Sequence, residues 1–275
     1  MPELPEVETT RCGIEPALIN QRVARVTIRE RGLRQPIPRR LDSALPGSLI
    51  TAVERRAKYI LLRTNRGTAL LHLGMSGSVR LLERATAAGK HDHVDIVMTN
   101  GCTMRFNDPR RFGLLLWTTR DPLTHRLLRH LGPEPLEGDF DGRHLHRRAQ
   151  GRRLAIKNVI MDGRIVVGVG NIYASEALHF AGIHPGRAAG RIAYARMENL
   201  SGHIKTVLSS AIARGGTTLR DFTDGDGRPG YFAQQLQVYD REGEPCIQCD
   251  RGGNAIIRRV VIGQRSSYYC PGCQR

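Results

Sequence analysis

Four cysteines near the end of the chain have the spacing of a metal site. Cys246 and Cys249 form one C-x2-C pair, and Cys270 and Cys273 form a second pair after a 20-residue spacer. Two such pairs can hold one tetrahedral ion through four thiolates, the usual arrangement of a structural zinc. Because four protein ligands close the coordination sphere, we expect one structural Zn²⁺ per chain without a catalytic role. Two disulfides are the alternative, which a cytosolic chain disfavours.

The first residues, MPELPEVETT, place Pro2, Glu3 and Glu6 close together. Proline costs little in the first turn of a helix, because its missing N–H would be unpaired there. Carboxylates near that end are favoured by the helix dipole. The segment therefore predicts the start of a helix through residues 7–11, and taken alone it leaves a structural and a chemical role equally open.

The charge of the chain points to a polyanionic partner. Lys and Arg number 42 against 26 Asp and Glu, which gives a net charge of +16 and a sequence pI near 10.5. The basic residues are spread through folded segments such as RHLHRRAQGRRLAIK and IIRRVVIGQR rather than gathered in a tail. This distribution favours a surface that holds a nucleic-acid backbone. A basic surface without any partner is the alternative.

Length and composition are typical of a soluble protein with more than one domain. The chain has 275 residues, 40% hydrophobic and 25% charged, which is enough to bury a sizeable core. No apolar run reaches the roughly 18–20 residues of a membrane helix, and the N-terminus lacks a signal-peptide pattern. We therefore expect a cytoplasmic protein with no membrane partner. The isolated Cys12 and Cys102 are interpreted as small buried apolar residues.

Hydrophobic patterning divides the chain into regions of different fold. Residues 21–120 contain short alternating or apolar runs about 8–12 residues apart, with Asn100-Gly101 as a turn, which predicts a β-sandwich or barrel. Residues 140–220 have helical periodicity and end on glycines. The segment between the cysteine pairs alternates as two short strands around a turn. These patterns predict domains at 1–130, 141–240 and 241–275, with a linker at 131–140.

Five motifs in order give the chain a resemblance to a known family. They are PELPEVET at the N-terminus, HLGMSG at 72–77, NDPRRFG at 107–113, MDGRIVVGVGNIYASEAL at 161–178 and the cysteine segment at 244–274. The chain resembles the bacterial formamidopyrimidine-DNA glycosylases, also called 8-oxoguanine DNA glycosylases, from end to end. The resemblance implies an α+β multidomain fold: an N-terminal β-sandwich with a catalytic N-terminal helix, a helix–two-turn–helix domain, and a C-terminal β-hairpin zinc finger.

The resemblance also implies a chemical role for the N-terminal proline. In this family Met1 is removed, and the secondary amine of Pro2 attacks C1′ of a damaged deoxynucleoside. An α-amino group titrates near 8, so a usable neutral fraction exists at physiological pH. The resulting Schiff base permits β,δ-elimination and strand cleavage. Glu3 would act as the acid/base at the sugar, and Glu6 resembles a carboxylate near the reacting sugar. The implied enzyme is a bifunctional glycosylase and AP lyase that removes oxidised purines.

Further residues are implied by their positions in the motifs. Lys58 resembles a catalytic lysine on a β-strand. Asn171 and Arg265 would hold the phosphates that flank a flipped nucleotide. Arg265 is also predicted to be a catalytic residue.

Met75, Arg110 and Phe112 match a wedge that fills the gap left in the DNA. The remaining expected backbone contacts are His72, His91 and Lys157, and residues 220–232 resemble a loop that closes over the extruded base. Damaged double-stranded DNA is the implied partner of a monomer.

Two features need separate mention beside the family pattern, and two alternative functions are open. The spacer between the cysteine pairs is several residues longer than is usual in the family, and Pro2 is a nucleophile only when Met1 has been removed. One rival is an endonuclease VIII-type glycosylase for oxidised pyrimidines, against which Leu4 and the complete Met75–Arg110–Phe112 wedge argue. The other is a non-catalytic zinc protein that only recognises damage, against which Pro2, Glu3 and Lys58 argue.

Overall fold

The computed structural model of the protein describes residues 2–83, 86–216, 236–249 and 255–275. Met1 and the predicted loop at 220–232 lie outside the described residues. The described residues divide into two compact units. The first comprises those of Met1–His130 and Arg214–Ala233, and the second those of Leu131–Ala213 and Gln234–Arg275. Among the described residues, no helix combines the length and apolar character needed to cross a membrane.

The first unit contains two four-stranded antiparallel sheets. One sheet has the order β1-β6-β7-β5 and the other β2-β3-β4-β8. The strands are β1 (Val23–Ile28), β2 (Ile50–Arg56), β3 (Tyr59–Thr64), β4 (Gly67–His72), β5 (Ser78–Leu82), β6 (Asp92–Met98), β7 (Thr103–Asn107) and β8 (Leu114–Thr118). Alternating apolar side chains of both sheets, among them Ile60, Leu71, Ile96 and Phe106, meet in one buried core. The predicted β-sandwich is therefore confirmed.

Three connections cross from one sheet to the other, and two of them carry predicted wedge residues. The first crossover loop, residues 73–77, joins β4 to β5, and the second crossover loop, residues 108–113, joins β7 to β8. Each leaves one layer and enters the other at the end of the sandwich. Leu73 at the start of the first loop still packs into the core, whereas the tips of both loops are exposed. Met75 and Phe112 are accordingly exposed by 41% and 43%.

The N-terminal helix α1 (Leu4–Leu18) packs against β2, β3 and β5. It is longer than the predicted segment 7–11, because its apolar face, with Leu4, Val7, Ile14 and Leu18, is buried along its whole length. A short helix α2 (Leu41–Ala44) follows β1.

The interpretation of the isolated cysteines as buried residues was wrong. Cys12 lies off the apolar face of α1 and is exposed, beside Glu8 and Arg11. Cys102 lies in the turn between β6 and β7 and is half-buried. Residue type alone had suggested burial, whereas the helix face and the turn decide it.

The second unit consists of helices and a β-hairpin. Its helices are α3 (Gly142–Ala149), α4 (Ile156–Ile160), α5 (Asn171–Phe180) and α6 (Tyr194–Ala213). The long α6 packs against α3 and α5. The hairpin strands β9 (Arg258–Ile262) and β10 (Arg265–Tyr269) are antiparallel around a two-residue turn, and β10 packs against α5. The predicted helical domain and C-terminal β-hairpin are confirmed.

Candidate active site and DNA-binding residues

The N-terminus of α1 brings Pro2, Glu3 and Glu6 together. All three are buried, with Glu3 exposed by 3% and Glu6 by 0%. Glu3 is the N-cap, and its backbone N–H donates to Glu6 Oε2 at 2.8 Å. The Glu3 side chain in turn accepts from the backbone N–H of Glu6, which completes a reciprocal capping box. Two carboxylates are thus fixed in orientation beside the residue whose nitrogen is the expected nucleophile.

Lys58 lies in a tight turn and not, as predicted, on a strand. Residues 57–58 form the two-residue connection between β2 and β3, and Arg56 pairs with Tyr59 across it. Ala57 has a positive φ of 55°, which turns the chain within two residues. The strand interpretation failed because RRAKYILL contains no glycine or asparagine to mark the turn. The turn places Lys58 at the end of the sandwich.

His72, at the end of β4, is held as a neutral ring. Its Nδ1 accepts a hydrogen bond from the N–H of Gly74 at 2.9 Å, so the proton of the neutral imidazole is on Nε2. Burial, and then the positive charges of Lys58 and Arg34, lower the pKa of His72 to about 4. At neutral pH the ring is therefore an uncharged donor near the Lys58 ammonium.

The two crossover loops place the wedge residues at one end of the sandwich. Gly74 has a φ of +68°, and a Cβ there would lie 2.5 Å from the Phe112 carbonyl carbon and from Gly113 N, so the two backbones touch. Phe112 stacks under Arg110, whose guanidinium carbon is 4.9 Å from the ring centroid. The exposed Met75, Arg110 and Phe112 thus project from two loops in direct contact.

In the second unit, Lys157, Asn171 and the start of β10 meet at Ser266. The amide Nδ2 of Asn171, the first residue of α5, donates to Ser266 O at 3.0 Å. The Lys157 ammonium donates to the same carbonyl at 3.2 Å and to Ser267 Oγ at 2.8 Å, and the residue is completely buried. The neighbouring Arg265 is exposed. The hairpin is thereby fixed against the helix N-terminus, a position that suits an anion.

The four predicted metal ligands form one cluster. Their Sγ atoms all lie within 4.8 Å of one another. Contacts of 3.7 and 3.8 Å between them match the roughly 3.8 Å edge of a tetrahedron with Zn–S bonds of about 2.3 Å, and they exceed the ~2.05 Å of a disulfide. A Cβ on Gly272 would lie 2.6 Å from Cys249 Sγ, so only glycine allows the two C-x2-C segments to approach. The cluster could hold a metal ion and fits zinc.

Among the described residues, the two most deeply buried carboxylates outside the N-terminal group were missed by the sequence analysis. Asp108 in NDPRRFG and Glu176 in NIYASEAL are exposed by at most 1%. Glu176 accepts the backbone N–H groups of residues 237–239 at 2.8, 3.0 and 2.9 Å and so attaches that segment to α5. Burial raises the pKa of the Glu176 carboxyl, although the three N–H donors act to lower it. An acidic residue inside an otherwise apolar helix was the available signal for Glu176.

Two family models match the chain. The formamidopyrimidine-DNA glycosylase N-terminal domain matches residues 1–115, and the formamidopyrimidine-DNA glycosylase H2TH domain matches residues 131–223. The chain belongs to the formamidopyrimidine-DNA glycosylase family. Curated relatives include the formamidopyrimidine-DNA glycosylases of Alkalilimnicola ehrlichii, 57% identical over 281 residues, and Stutzerimonas stutzeri, 58% identical over 275 residues. Both alignments cover 100% of each chain. The chain is accordingly a DNA glycosylase of DNA repair.

Solved structures of formamidopyrimidine-DNA glycosylases share this fold. MutM (Fpg) from Thermus thermophilus is 34% identical with a TM-score of 0.88, covering 99% of this chain and 98% of that one. A Lactococcus lactis variant in complex with Fapy-dG-containing DNA is 29% identical with a TM-score of 0.91, covering 100% of both chains. The L. lactis enzyme in complex with abasic-site DNA has a TM-score of 0.90 at 29% identity, over 99% of each chain.

Proposed function

We propose that this glycosylase excises oxidised purines, such as formamidopyrimidines and 8-oxoguanine, from duplex DNA and then cleaves the strand as an AP lyase. The observation that carries the proposal is the buried group of Pro2, Glu3 and Glu6 at the N-terminus of α1, in which Glu3 N donates to Glu6 Oε2 at 2.8 Å. The lesion class is supported by the family and by the Fapy-dG in the DNA of the L. lactis complex.

The proline supplies the nucleophile once Met1 is removed. An α-amino group titrates near 8, so its lone pair is available at neutral pH. The nitrogen of Pro2 attacks C1′, and the bond from C1′ to the base breaks with its electron pair going to the base. Glu3, directly beside Pro2, would protonate the sugar ring oxygen as the ring opens. Because a secondary amine can form only a charged iminium, the product is an electron sink.

Strand cleavage follows from that iminium. It acidifies C2′, and loss of a C2′ proton expels the 3′ phosphate by β-elimination. A second elimination expels the 5′ phosphate. A carboxylate held next to the reacting carbon can accept these protons and return them, which fits Glu3. Both steps conserve electrons and need no oxidant, reductant or metal, so the zinc is assigned a structural role only.

Cationic and neutral donors of the first unit would bind the DNA backbone near the reacting sugar. Lys58 supplies a positive charge at the β2–β3 turn, and the neutral His72 supplies an Nε2–H donor beside it. His91 lies half-buried immediately before β6 and would provide a further contact. Charged contacts of this type dominate affinity and make it dependent on salt.

The crossover loops would fill the space that the flipped nucleotide leaves. Extrusion of a base costs a few kcal/mol of lost stacking and pairing, which an inserted side chain can offset. Met75 is the apolar plug, Arg110 binds the orphaned cytosine, and Phe112 stacks on the adjacent base step. Their exposure and their contact through Gly74 agree with that role.

The second unit would bind the phosphates that flank the lesion. Asn171 at the start of α5 and the exposed Arg265 at the start of β10 provide the donors, and Lys157 supports both through Ser266. One zinc bound by Cys246, Cys249, Cys270 and Cys273 would fix the hairpin on which Arg265 lies. Damaged double-stranded DNA is the partner of what we propose to be a monomeric enzyme.

Single-turnover cleavage tests this function. Matched duplexes carry 8-oxoguanine opposite cytosine, an oxidised pyrimidine opposite adenine, or an undamaged guanine. We expect excision of 8-oxoguanine with phosphates on both new ends, and loss of excision in Glu3→Gln. A preference for the oxidised pyrimidine would favour an endonuclease VIII-type enzyme. Binding without excision of either lesion, by protein whose Met1 has been removed, would contradict the catalytic assignment.

A further inference from the structure

Asp108 is the point at which the two crossover loops are joined by hydrogen bonds. It is the first residue after β7 and is exposed by 0%. Its Oδ2 accepts the backbone N–H of Gly113 at 2.7 Å, at the other end of the second crossover loop. Its Oδ1 accepts from Ser76 Oγ at 3.4 Å, in the first crossover loop, next to Met75. One carboxylate therefore bonds to both loops.

The backbone of Asp108 holds a third segment. Its N–H donates to the carbonyl of His91 at 3.0 Å, at the end of the connection into β6. Its carbonyl accepts from the Nε2 of the buried His93 at 2.8 Å and from the N–H of Arg111 at 3.2 Å. The latter bond closes the turn that carries Arg110. Each polar atom of Asp108 is thus used, and its partners lie in three separate stretches of chain.

We propose that Asp108 is a positioning residue for base extrusion, which sets the mutual positions of Met75, Arg110 and Phe112 before DNA binds. This inference rests on the proposed function, because it needs the three side chains to act as a wedge. Loops fixed in advance lose less conformational freedom when they enter the duplex. Asp108 itself is buried and contacts the loops, so it acts through them.

Removal of the carboxylate has a defined consequence. Asp108→Ala leaves the Gly113 N–H and the Ser76 hydroxyl without their acceptor in a buried place, which is costly for each group. The loops can then separate to reach water. Asp108→Asn is different, because its oxygen can still accept from Gly113 while its amide donates to Ser76 Oγ. Asp108→Asn therefore keeps the size of the side chain and most of its hydrogen bonding, whereas Asp108→Ala loses both.

The experiment separates extrusion of a base from the chemistry at the sugar. Single-turnover excision from a duplex with 8-oxoguanine opposite cytosine requires that a stacked base be extruded. Elimination at a preformed abasic site does not, because the base is already missing there. A 2-aminopurine next to the lesion reports wedge insertion as a rise in fluorescence. Asp95→Ala is the matched control, since Asp95 is another buried carboxylate of the same sandwich, 6% exposed, that pairs with Arg29 and Arg105 instead of the crossover loops.

We expect Asp108→Ala to slow excision of 8-oxoguanine about tenfold more than elimination at the abasic site. The fluorescence rise should be reduced in parallel, and Asp108→Asn should recover most of both. Asp95→Ala should lower the thermal midpoint with an unchanged ratio of the two rates. If Asp108→Ala does not fold, Ser76→Ala is used in its place. We expect Ser76→Ala to slow excision relative to elimination by about two- to threefold.

Equal slowing of both reactions by Asp108→Ala, or the same change of ratio in Asp95→Ala, would overturn the inference and leave Asp108 a stability residue. An unchanged fluorescence rise in both Asp108→Ala and Ser76→Ala would also overturn it. Failure of the proposed function looks different, because the unmodified enzyme would then neither excise 8-oxoguanine nor raise the fluorescence.

Discussion

The backbone N–H of Glu3 donates to Glu6 Oε2 at 2.8 Å, so the side chain of Glu6 holds the backbone of Glu3, the residue directly after Pro2. A helix N-terminus has unpaired N–H groups that must be satisfied, and the capping box satisfies two of them here. The same bonds orient Glu3 for the proposed proton transfers. The residues that cap the helix are thus the same ones that the proposed chemistry uses.

Loss of the Glu6 carboxylate should affect activity more than stability. Glu6→Ala removes the acceptor for Glu3 N–H and is expected to lower the free energy of unfolding by about 1 kcal/mol. Single-turnover excision should fall by more than that free energy implies, because Glu3 loses its fixed orientation. Glu6→Gln keeps an acceptor oxygen and should retain more activity. Glu15→Ala, on the same helix, is the control. Equal activity of all three variants would show that the cap does not orient Glu3.

His72 should make unfolding depend on pH in the acidic range. Its pKa in the folded protein is about 4, below the roughly 6.5 of an unfolded chain, so between these values the unfolded state binds more protons. The stabilising contribution is therefore complete above pH ~6.5 and is lost as the pH falls towards 4.

The variant His72→Asn tests this contribution. Asn can still accept from Gly74 N–H but does not titrate, so the variant should lose less stability than the unmodified protein between pH ~6.5 and ~4. The difference should be no more than about 1.4 kcal/mol per pH unit. Chemical denaturation at a series of pH values measures it. Parallel pH dependences would show that the His72 ring is not held neutral.

Arg265 should contribute one phosphate contact to the salt dependence of DNA binding. It is exposed at the start of β10, and removal of one phosphate contact should reduce the slope of log K against log salt by about 0.9. Arg259 on β9 is the matched control, because its guanidinium pairs with Glu242 at 2.7 Å. Arg265→Ala should lower the slope and the affinity, whereas Arg259→Ala should leave the slope nearly unchanged. The reverse order would remove Arg265 from the phosphate contacts.

Metal analysis should find one zinc per chain, bound by the four-cysteine cluster. Cys249→Ala should lose the ion, lower the thermal midpoint and weaken DNA binding at least roughly tenfold, since structural zinc contributes folding free energy to small modules. Cys12→Ser should keep the zinc, because Cys12 is exposed on α1 and is not one of the four clustered cysteines. A protein that retains its zinc in Cys249→Ala would contradict the assignment of the ligands.

Local patterns predicted the elements of the fold, because strand alternation and cysteine spacing are properties of neighbouring residues. The sandwich strands and the hairpin between the cysteine pairs follow from them. The turn at Lys58 was missed because Ala57 adopts a positive φ without glycine. The role of Asp108 could not be read from the chain, because its partners His91, Ser76 and Gly113 come together only when two sheets are packed.

Borohydride trapping tests the central claim most directly. Protein whose first residue is confirmed by mass to be Pro2 is incubated with a duplex that carries 8-oxoguanine opposite cytosine, and any Schiff base is reduced to a stable bond. We predict a covalent adduct of one protein and one DNA strand that maps to the nitrogen of Pro2. Excision of the base without an adduct, or an adduct that maps to Lys58, would contradict the assignment of Pro2 as the nucleophile.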